Sequence, residues 1–138
     1  MNVNRIEDAV LLNRYYDKRA LSSIADAPTF KFGKVQWASD LIEMVDGKPV
    51  VANIDKTLSS LNGVFKTNDA VFTYLNGVIH VKASLPPNAL EEGQKEQFSA
   101  LGFLDNEDEL IAVVACLPVW VYSDRGLDLT IQIKTNIS

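Results

Sequence analysis

Hydrophobic and polar residues alternate along much of the chain, and this alternation predicts β-strands. The clearest case is the segment 127–134, in which every second residue is Leu or Ile and the residues between them are Asp, Thr, Gln and Lys. A period of two places one row of side chains on each face of a strand, so this pattern is typical of a half-exposed antiparallel strand. The segment 29–37 also alternates, but its apolar positions change parity at Gly33, which indicates a β-bulge.

Two strand pairs are predicted on either side of polar turns. Asn76 and Gly77 separate the β-rich runs 70–75 and 78–84. Asn-Gly favours a type I′ turn, in which both central residues have positive φ, so these runs should form a hairpin.

The second strand pair is the segment "FSALGFLD", the turn "NEDE" and the segment "LIAVVACL", residues 98–117. Asp105 and Asn106 favour a turn because their side chains hydrogen-bond to the nearby backbone. The second run is apolar throughout, which is typical of a strand that is buried on both faces.

A helix is predicted near the N-terminus, over residues 14–26. Tyr16, Ala20 and Ile24 recur at intervals of four and would share one helical face. Asn13 precedes them and belongs to the residue types that cap helix N-termini.

The whole chain is expected to form one domain. Its 138 residues, of which 47% are hydrophobic, suffice for a single core. The predicted fold class is α+β: mostly antiparallel β, sandwich-like, with one N-terminal helix. The single domain would span residues 1–138, with a β-rich body over residues 29–135.

Charge and composition argue against two classes of partner. The 13 Lys and Arg residues are scattered and the net charge is −5, so no basic cluster is available for a nucleic-acid backbone. No apolar run approaches the roughly 20 residues that span a bilayer, and acids interrupt the N-terminus where a signal peptide is apolar. We therefore expect no nucleic-acid partner, no membrane insertion and an initial location in the cytoplasm.

The acidic turn is the first candidate for chemistry. A calcium loop has a glycine at its sixth position and a glutamate at its twelfth. Counted from Asp105, these positions hold Leu110 and Cys116. The turn is therefore predicted to be solvated, and neither a metal nor a cofactor is predicted.

The single histidine and the single cysteine are the other candidates. Zinc sites need several such residues. Cys116 lies among apolar neighbours and is predicted to be a core residue, whereas His80 is predicted to face outward from a strand. We predict no catalytic residues. An enzyme would require an unexpected grouping of Asp residues with His80 and Cys116.

Aromatic residues are the candidates for a binding surface. Trp120 and Tyr122 alternate with Val119 and Val121, so the two aromatic side chains share a strand face. Large aromatics dominate both cores and interfaces, and the core interpretation of Trp120 is slightly favoured over the interface interpretation. Trp37 presents the same alternatives.

Three segments together resemble the phage tail-collar fibre family, the N-terminal domains of tail fibres in contractile-tailed phages and prophages. They are "SALGFLDNEDELIAVVACLP", the C-terminal "LDLTIQIKTNIS", and "AVLLNRYYDKRALSSIADA" followed by "FKFGKVQW". "WASD" stands where the family usually has a Gly-Asp-Gly turn, so the chain is identified as a divergent member. The residues that match the family pattern are Gly102, Phe103, Leu104, Asp105, Leu110, Ile111, Ala112, Val113 and Pro118.

The resemblance implies a non-enzymatic virion protein that links a tail fibre to the baseplate. Such fibres are typically trimers, which assemble in the host cytoplasm and then reside in the virion tail. The protein-interface candidates are Trp37, Trp120, Tyr122 and Arg125. The alternative is a stand-alone β-sandwich binding module that recognises a carbohydrate or a peptide with its exposed aromatics.

Overall fold

Strands account for most of the structure, a computed structural model that describes residues 3–24, 30–124 and 126–134, with side chains from residue 9 onward. In chain order the elements are β1 (Val3–Asp8), β2 (Val10–Leu11), α1 (Asn13–Ser22), β3 (Phe32–Ala38), β4 (Ile42–Val45), β5 (Lys48–Val51), β6 (Val64–Asn68), β7 (Val71–Leu75), β8 (Val78–Leu85), β9 (Lys95–Asp105), β10 (Leu110–Tyr122) and β11 (Leu127–Lys134). The predicted class, α+β with mostly antiparallel, sandwich-like strands and one N-terminal helix, is confirmed.

The strands form two main sheets and one separate hairpin. The five-stranded sheet has the order β2-β10-β9-β3-β6 and is antiparallel throughout. The four-stranded sheet has the order β1-β11-β8-β7 and is antiparallel except for the parallel pair β1–β11. β4 and β5 pair only with each other among the described residues.

The main core lies between the two sheets. β11 buries Leu127, Leu129, Ile131 and Ile133 and leaves the residues between them partly exposed, as the alternation predicts. These side chains belong to one cluster with apolar residues of the five-stranded sheet, including Trp37.

A second cluster covers the other face of the five-stranded sheet. Leu101 and Phe103 of β9 lie in the main core, whereas Ala100 and Leu104 lie in this second cluster together with Leu61. The middle of the β9–β10 hairpin is therefore buried on both faces, as its continuous apolar sequence predicts.

The predicted backbone irregularities are also present. Asn76 and Gly77 have φ values of 51° and 82°, as a type I′ turn requires. The pairing of β3 with β9 shifts between Phe32 and Val35, which is the bulge expected at Gly33. A Cβ atom at Gly33 would lie 2.7 Å from the backbone oxygen of Asp105, so this close approach requires glycine.

The helix differs from its prediction in position and in buried face. It starts at Asn13 and its N-cap is Leu12, which makes no side-chain capping hydrogen bond. Backbone contacts define this start instead: Leu12 N–H donates to Ile111 O at 2.9 Å, and Asn13 N–H donates to Lys56 O at 2.9 Å.

Tyr15 is the buried side chain of α1, so the predicted face of Tyr16, Ala20 and Ile24 is wrong. Ile24 is 60% exposed. The reason is that the first part of the helix contacts the body, through the Tyr15 ring against Phe30 and the Lys18 ammonium against Asp105, whereas residues 19–24 are exposed. Residues 25 and 26, which the predicted helix included, lie outside the described residues.

Candidate functional site

The acidic turn between β9 and β10 is organised around Asp105, whose side chain is buried. Its Oδ1 accepts hydrogen bonds from the backbone N–H groups of Glu107 at 2.9 Å and Glu109 at 2.8 Å. Its Oδ2 accepts a hydrogen bond from Lys18 Nζ at 2.5 Å. The prediction of a merely solvated turn is wrong for Asp105, because this carboxylate is paired with a residue of the helix.

The Lys18 ammonium lies among three carboxylates of this turn. Oxygen atoms of Asp105, Glu107 and Glu109 lie within 4.8 Å of one another, a spacing that suits a cation. Lys18 Nζ lies 3.0 Å from Glu107 Oε1 and also contacts Glu109. Arg14 Nη1 adds an exposed contact to Glu109 Oε1 at 3.2 Å. The cation that this cluster holds is therefore a side chain of α1.

The pKa values of Asp105 and Lys18 are shifted in opposite directions, that of Asp105 downward and that of Lys18 upward. Burial acts to raise the pKa of Asp105, but hydrogen bonds from Lys18 and the backbone of Glu109 and Glu107 outweigh it and leave this pKa below its ordinary value. Burial acts to lower the pKa of Lys18, but its bonds to the carboxylates raise that pKa overall. These directions describe a stable ion pair, whereas a general acid or base works best with a pKa near the working pH.

His80 and Cys116 lie in different sheets. His80 pairs with Thr73 and Gln132 on the neighbouring strands of the four-stranded sheet, and its side chain is on the face opposite buried Val81. Cys116 lies on β10 of the five-stranded sheet and is part of the main core. The two side chains therefore do not form a nucleophile–base pair.

Trp37 does not lie at the surface. It is fully buried, and its Nε1–H donates a hydrogen bond of 2.8 Å to Asn68 Oδ1. The large ring packs in the core against Phe98, with ring centroids 5.2 Å apart. The structure therefore places this predicted interface residue where it cannot contact another molecule while the chain is folded.

Trp120 is 44% exposed, so it does not fill the core, the alternative that was slightly favoured from sequence. Lys95 Nζ lies 5.0 Å from the centroid of its ring, a cation–π contact. Tyr122 is half-buried and lines an adjoining polar cleft of about 500 Å³ together with Lys95 and Asp124. Arg125 lies outside the described residues.

β7 is an edge strand of the four-stranded sheet as the described residues form it, and sequence reasoning missed this position. Within the described residues it pairs only with β8. Val71, Tyr74 and Leu75 are 62%, 69% and 61% exposed, and the strand has neither a charged residue nor a proline. Natural edge strands normally carry such features, because they prevent uncontrolled pairing.

The β4–β5 hairpin is a second exposed apolar element. Met44 is 67% exposed, and Val45, Val50 and Val51 are also exposed. The hairpin contacts β10. Contiguous exposed apolar surface is common at interaction sites, so the hairpin is a candidate contact surface.

Helices of membrane-spanning length and apolarity are not found in the part of the chain that the structure describes. No solved structure matches the chain.

Two comparisons give the same result for the sequence. The model of the family described as "Bacteriophage P1 tail fiber protein R" matches residues 1–136. "Tail fiber protein R" of Escherichia phage P1 is 30% identical over 129 residues, which cover 91% of this chain and 90% of that protein. The predicted resemblance to a phage tail-fibre family is thereby confirmed, and the chain belongs to the family of bacteriophage P1 tail fibre protein R.

Proposed function

We propose that the protein is a structural component of a phage tail and that it links a tail fibre to the baseplate. Its family supports the coarser part of this proposal, because the family and the relative are both named as tail fibre proteins. The link to the baseplate follows the resemblance of residues 99–118 and 127–138 to tail-collar fibre domains. The protein would then assemble in the host cytoplasm and reside in the virion tail.

The edge of β7, which pairs with no strand other than β8 among the described residues, carries the physical argument for an assembly role. An apolar, uncharged edge strand presents unpaired N–H and C=O groups that another strand can bind. Val71 and Leu75, both more than 60% exposed, leave apolar surface on this strand that a neighbouring chain would remove from water. The exposed β4–β5 hairpin offers a second contact surface of the same character.

We propose further that the chain is one domain and that it works as a homo-oligomer. Side chains of both sheets share one core cluster, which supports a single folding unit. A trimer is the state that the resemblance to tail-collar fibres implies. The proposed role of the protein is non-enzymatic. Asp105 is held in an ion pair, and His80 and Cys116 lie in different sheets.

Deletion of the gene from the phage or prophage that carries it tests the proposal. We expect particles whose tails lack fibres and fail to adsorb, with fibres and adsorption restored when the intact chain is supplied from a plasmid. A plasmid that encodes Asp105→Asn together with Lys18→Met should restore less, because the loss of the ion pair lowers the stability of the folded chain. Particles with intact fibres and normal adsorption after deletion would contradict the proposal.

Trp120 supports a second candidate function, a module that binds carbohydrate. Its ring is exposed next to the polar cleft that Tyr122 lines, and an exposed aromatic beside hydrogen-bonding groups suits a sugar. A glycan array that is positive with the intact chain and negative with Trp120→Ala would favour this function. An array that is negative with both proteins removes it.

A further inference from the structure

The backbone groups at the edge of β7 belong to Phe72 and Tyr74. Leu75 and Val78 flank the two-residue turn and pair with each other, so they form a hydrogen-bonded pair. Hydrogen-bonded and non-hydrogen-bonded pairs alternate along an antiparallel ladder. The N–H and C=O groups of Phe72 and Tyr74 therefore point away from β8, and no backbone hydrogen bond reaches them from the described residues.

The residue types of β7 are arranged symmetrically about Thr73. Val71 and Leu75 are aliphatic, Phe72 and Tyr74 are aromatic, and Thr73 lies at the centre. A second β7 strand in antiparallel orientation, with the two Thr73 residues opposite each other, would place Val71 against Leu75 and Phe72 against Tyr74. Such a contact is isologous: each copy uses the same surface, as a twofold interface requires.

We propose that β7 pairs with β7 of a second copy in this register, so that two four-stranded sheets become one continuous sheet. The edge groups of Phe72 and Tyr74 then form hydrogen-bonded pairs with Tyr74 and Phe72 of the second copy, which gives four new backbone hydrogen bonds. The two Thr73 residues form a non-hydrogen-bonded pair at the twofold axis, where Thr–Thr contacts are favourable.

The side chains next to the β7 edge are suited to contact β7 of a second copy. A mostly apolar cleft of about 320 Å³ lies beside β7 and is lined by Lys31, Phe32, Phe72, Thr73, Tyr74 and Ile79. Tyr74 of the second copy, opposite Phe72, would cover this cleft with an aromatic ring. Cross-strand aromatic pairs of this kind stabilise sheets.

The lack of charge on β7 is compatible with a second copy of the chain. β7 is uncharged, so two copies bring no like charges together along the strand.

This inference deepens the proposed function, since it names one contact by which fibre chains would associate. A twofold contact joins copies in pairs, so it adds to any contacts that close a trimer. The β7 pairing is tested with the purified chain alone. A negative result there would not bear on the tail-fibre role, which the gene deletion tests separately.

Cysteine cross-linking tests the register directly. In a Cys116→Ala background, Thr73→Cys should form a covalent species of twice the 15.3 kDa chain mass under mild oxidation. The reason is that Cα atoms of a non-hydrogen-bonded pair lie about 4.5 Å apart, within disulfide range. More than half of the chain should cross-link, and reduction should reverse it.

Val71→Cys is the matched control. In the proposed register residue 71 lies opposite residue 75 of the second copy, so the two thiols at position 71 would be four residues apart along the strands and too distant for a disulfide. Less than a tenth of this variant should cross-link by itself, whereas a mixture with Leu75→Cys should give the covalent pair. Failure of Thr73→Cys to cross-link faster than Val71→Cys alone would overturn the proposal.

A second measurement does not depend on disulfide geometry. Thr73→Lys would place two ammonium groups opposite each other at the axis, so it should raise the dissociation constant of the pair at least tenfold in sedimentation equilibrium. Thr67→Lys, on the edge strand β6 of the other sheet, should leave that constant within twofold. Equal effects of the two substitutions would contradict the assignment to β7.

Discussion

Replacement of Asp105 by Asn tests whether the ion pair with Lys18 fastens α1 to the β9–β10 hairpin. Asn has nearly the same shape, and its Oδ1 would still accept hydrogen bonds from the N–H groups of Glu107 and Glu109. Its NH₂ group, however, would face the Lys18 ammonium, so two donors would oppose each other where the ion pair now lies. We expect a loss of stability without a change of fold.

The expected loss is about 2–3 kcal/mol. Removal of one member of a buried ion pair costs about 3–5 kcal/mol, because the other charge is left uncompensated. Lys18 is 16% exposed and keeps Glu107 and Glu109 as neighbours, which places this pair below that range. For a chain of this length, such a loss lowers Tm by about 10 °C.

Urea unfolding at one fixed protein concentration measures this loss for the parent, Asp105→Asn, Lys18→Met and the double variant. The double variant should lose at least about 1 kcal/mol less than the sum of the single losses, because both substitutions remove the same interaction. Arg14→Met is the control: its exposed ion pair with Glu109 should contribute less than about 1 kcal/mol. An Asp105→Asn loss no larger than that of Arg14→Met, or additive single losses, would refute the reasoning.

Further predictions concern the pH dependence of the Lys18–Asp105 pair, the close approach at Gly33 and the exposure of the two tryptophans. The folded pKa of Asp105 lies below its unfolded value of about 4, so its contribution is present above that pH and is lost as the pH falls through the folded pKa. The gap in unfolding free energy between parent and Asp105→Asn should therefore narrow in acid, whereas a gap that stays constant down to pH 2 contradicts the pairing. The pKa of Lys18 is raised, so its contribution is complete below about pH 10 and the gap should not change between pH 6 and 9. Gly33→Ala should lower the unfolding free energy by about 1–3 kcal/mol, because the new Cβ would meet the backbone oxygen of Asp105 at 2.7 Å. Urea unfolding that is unchanged in this variant would count against the bulge. Acrylamide should quench the fluorescence of exposed Trp120 but not that of buried Trp37. Trp120→Phe should therefore abolish most of the quenching. Equal quenching of the parent and Trp120→Phe would be inconsistent with these exposures.

Local sequence signals predicted the features that local geometry controls. The type I′ turn depends on the positive φ values of Asn76 and Gly77, and the bulge depends on Gly33. The alternation at residues 127–134 depends only on which strand face is buried. Each signal lies within a few residues of the feature it predicts.

Features that depend on distant residues were not predictable in this way. Lys18 and Asp105 are 87 positions apart, so nothing near the acidic turn indicated its cation. The helix face was assigned from periodicity, but the contacts of Leu12 with Ile111 and of Tyr15 with Phe30 determine which face packs. Tertiary contacts override such weak local preferences.

The edge position of β7 follows from the strand order of a whole sheet. The sequence predicted the hairpin of residues 70–84 but gave no reason why β8, and not β7, should pair with β11. Among the interface candidates, burial separates Trp37 from Trp120, although both are tryptophans in alternating segments. Exposure of this kind depends on how the sheets pack together.

Immunogold labelling of purified phage particles with an antibody against this chain tests the central claim most directly. We expect gold at the tail, where fibres join the baseplate, and loss of that label in particles from the deletion strain. Particles that carry intact tail fibres but no label, with the chain found only in the soluble fraction of the lysate, would contradict the claim that this protein is a structural part of the tail.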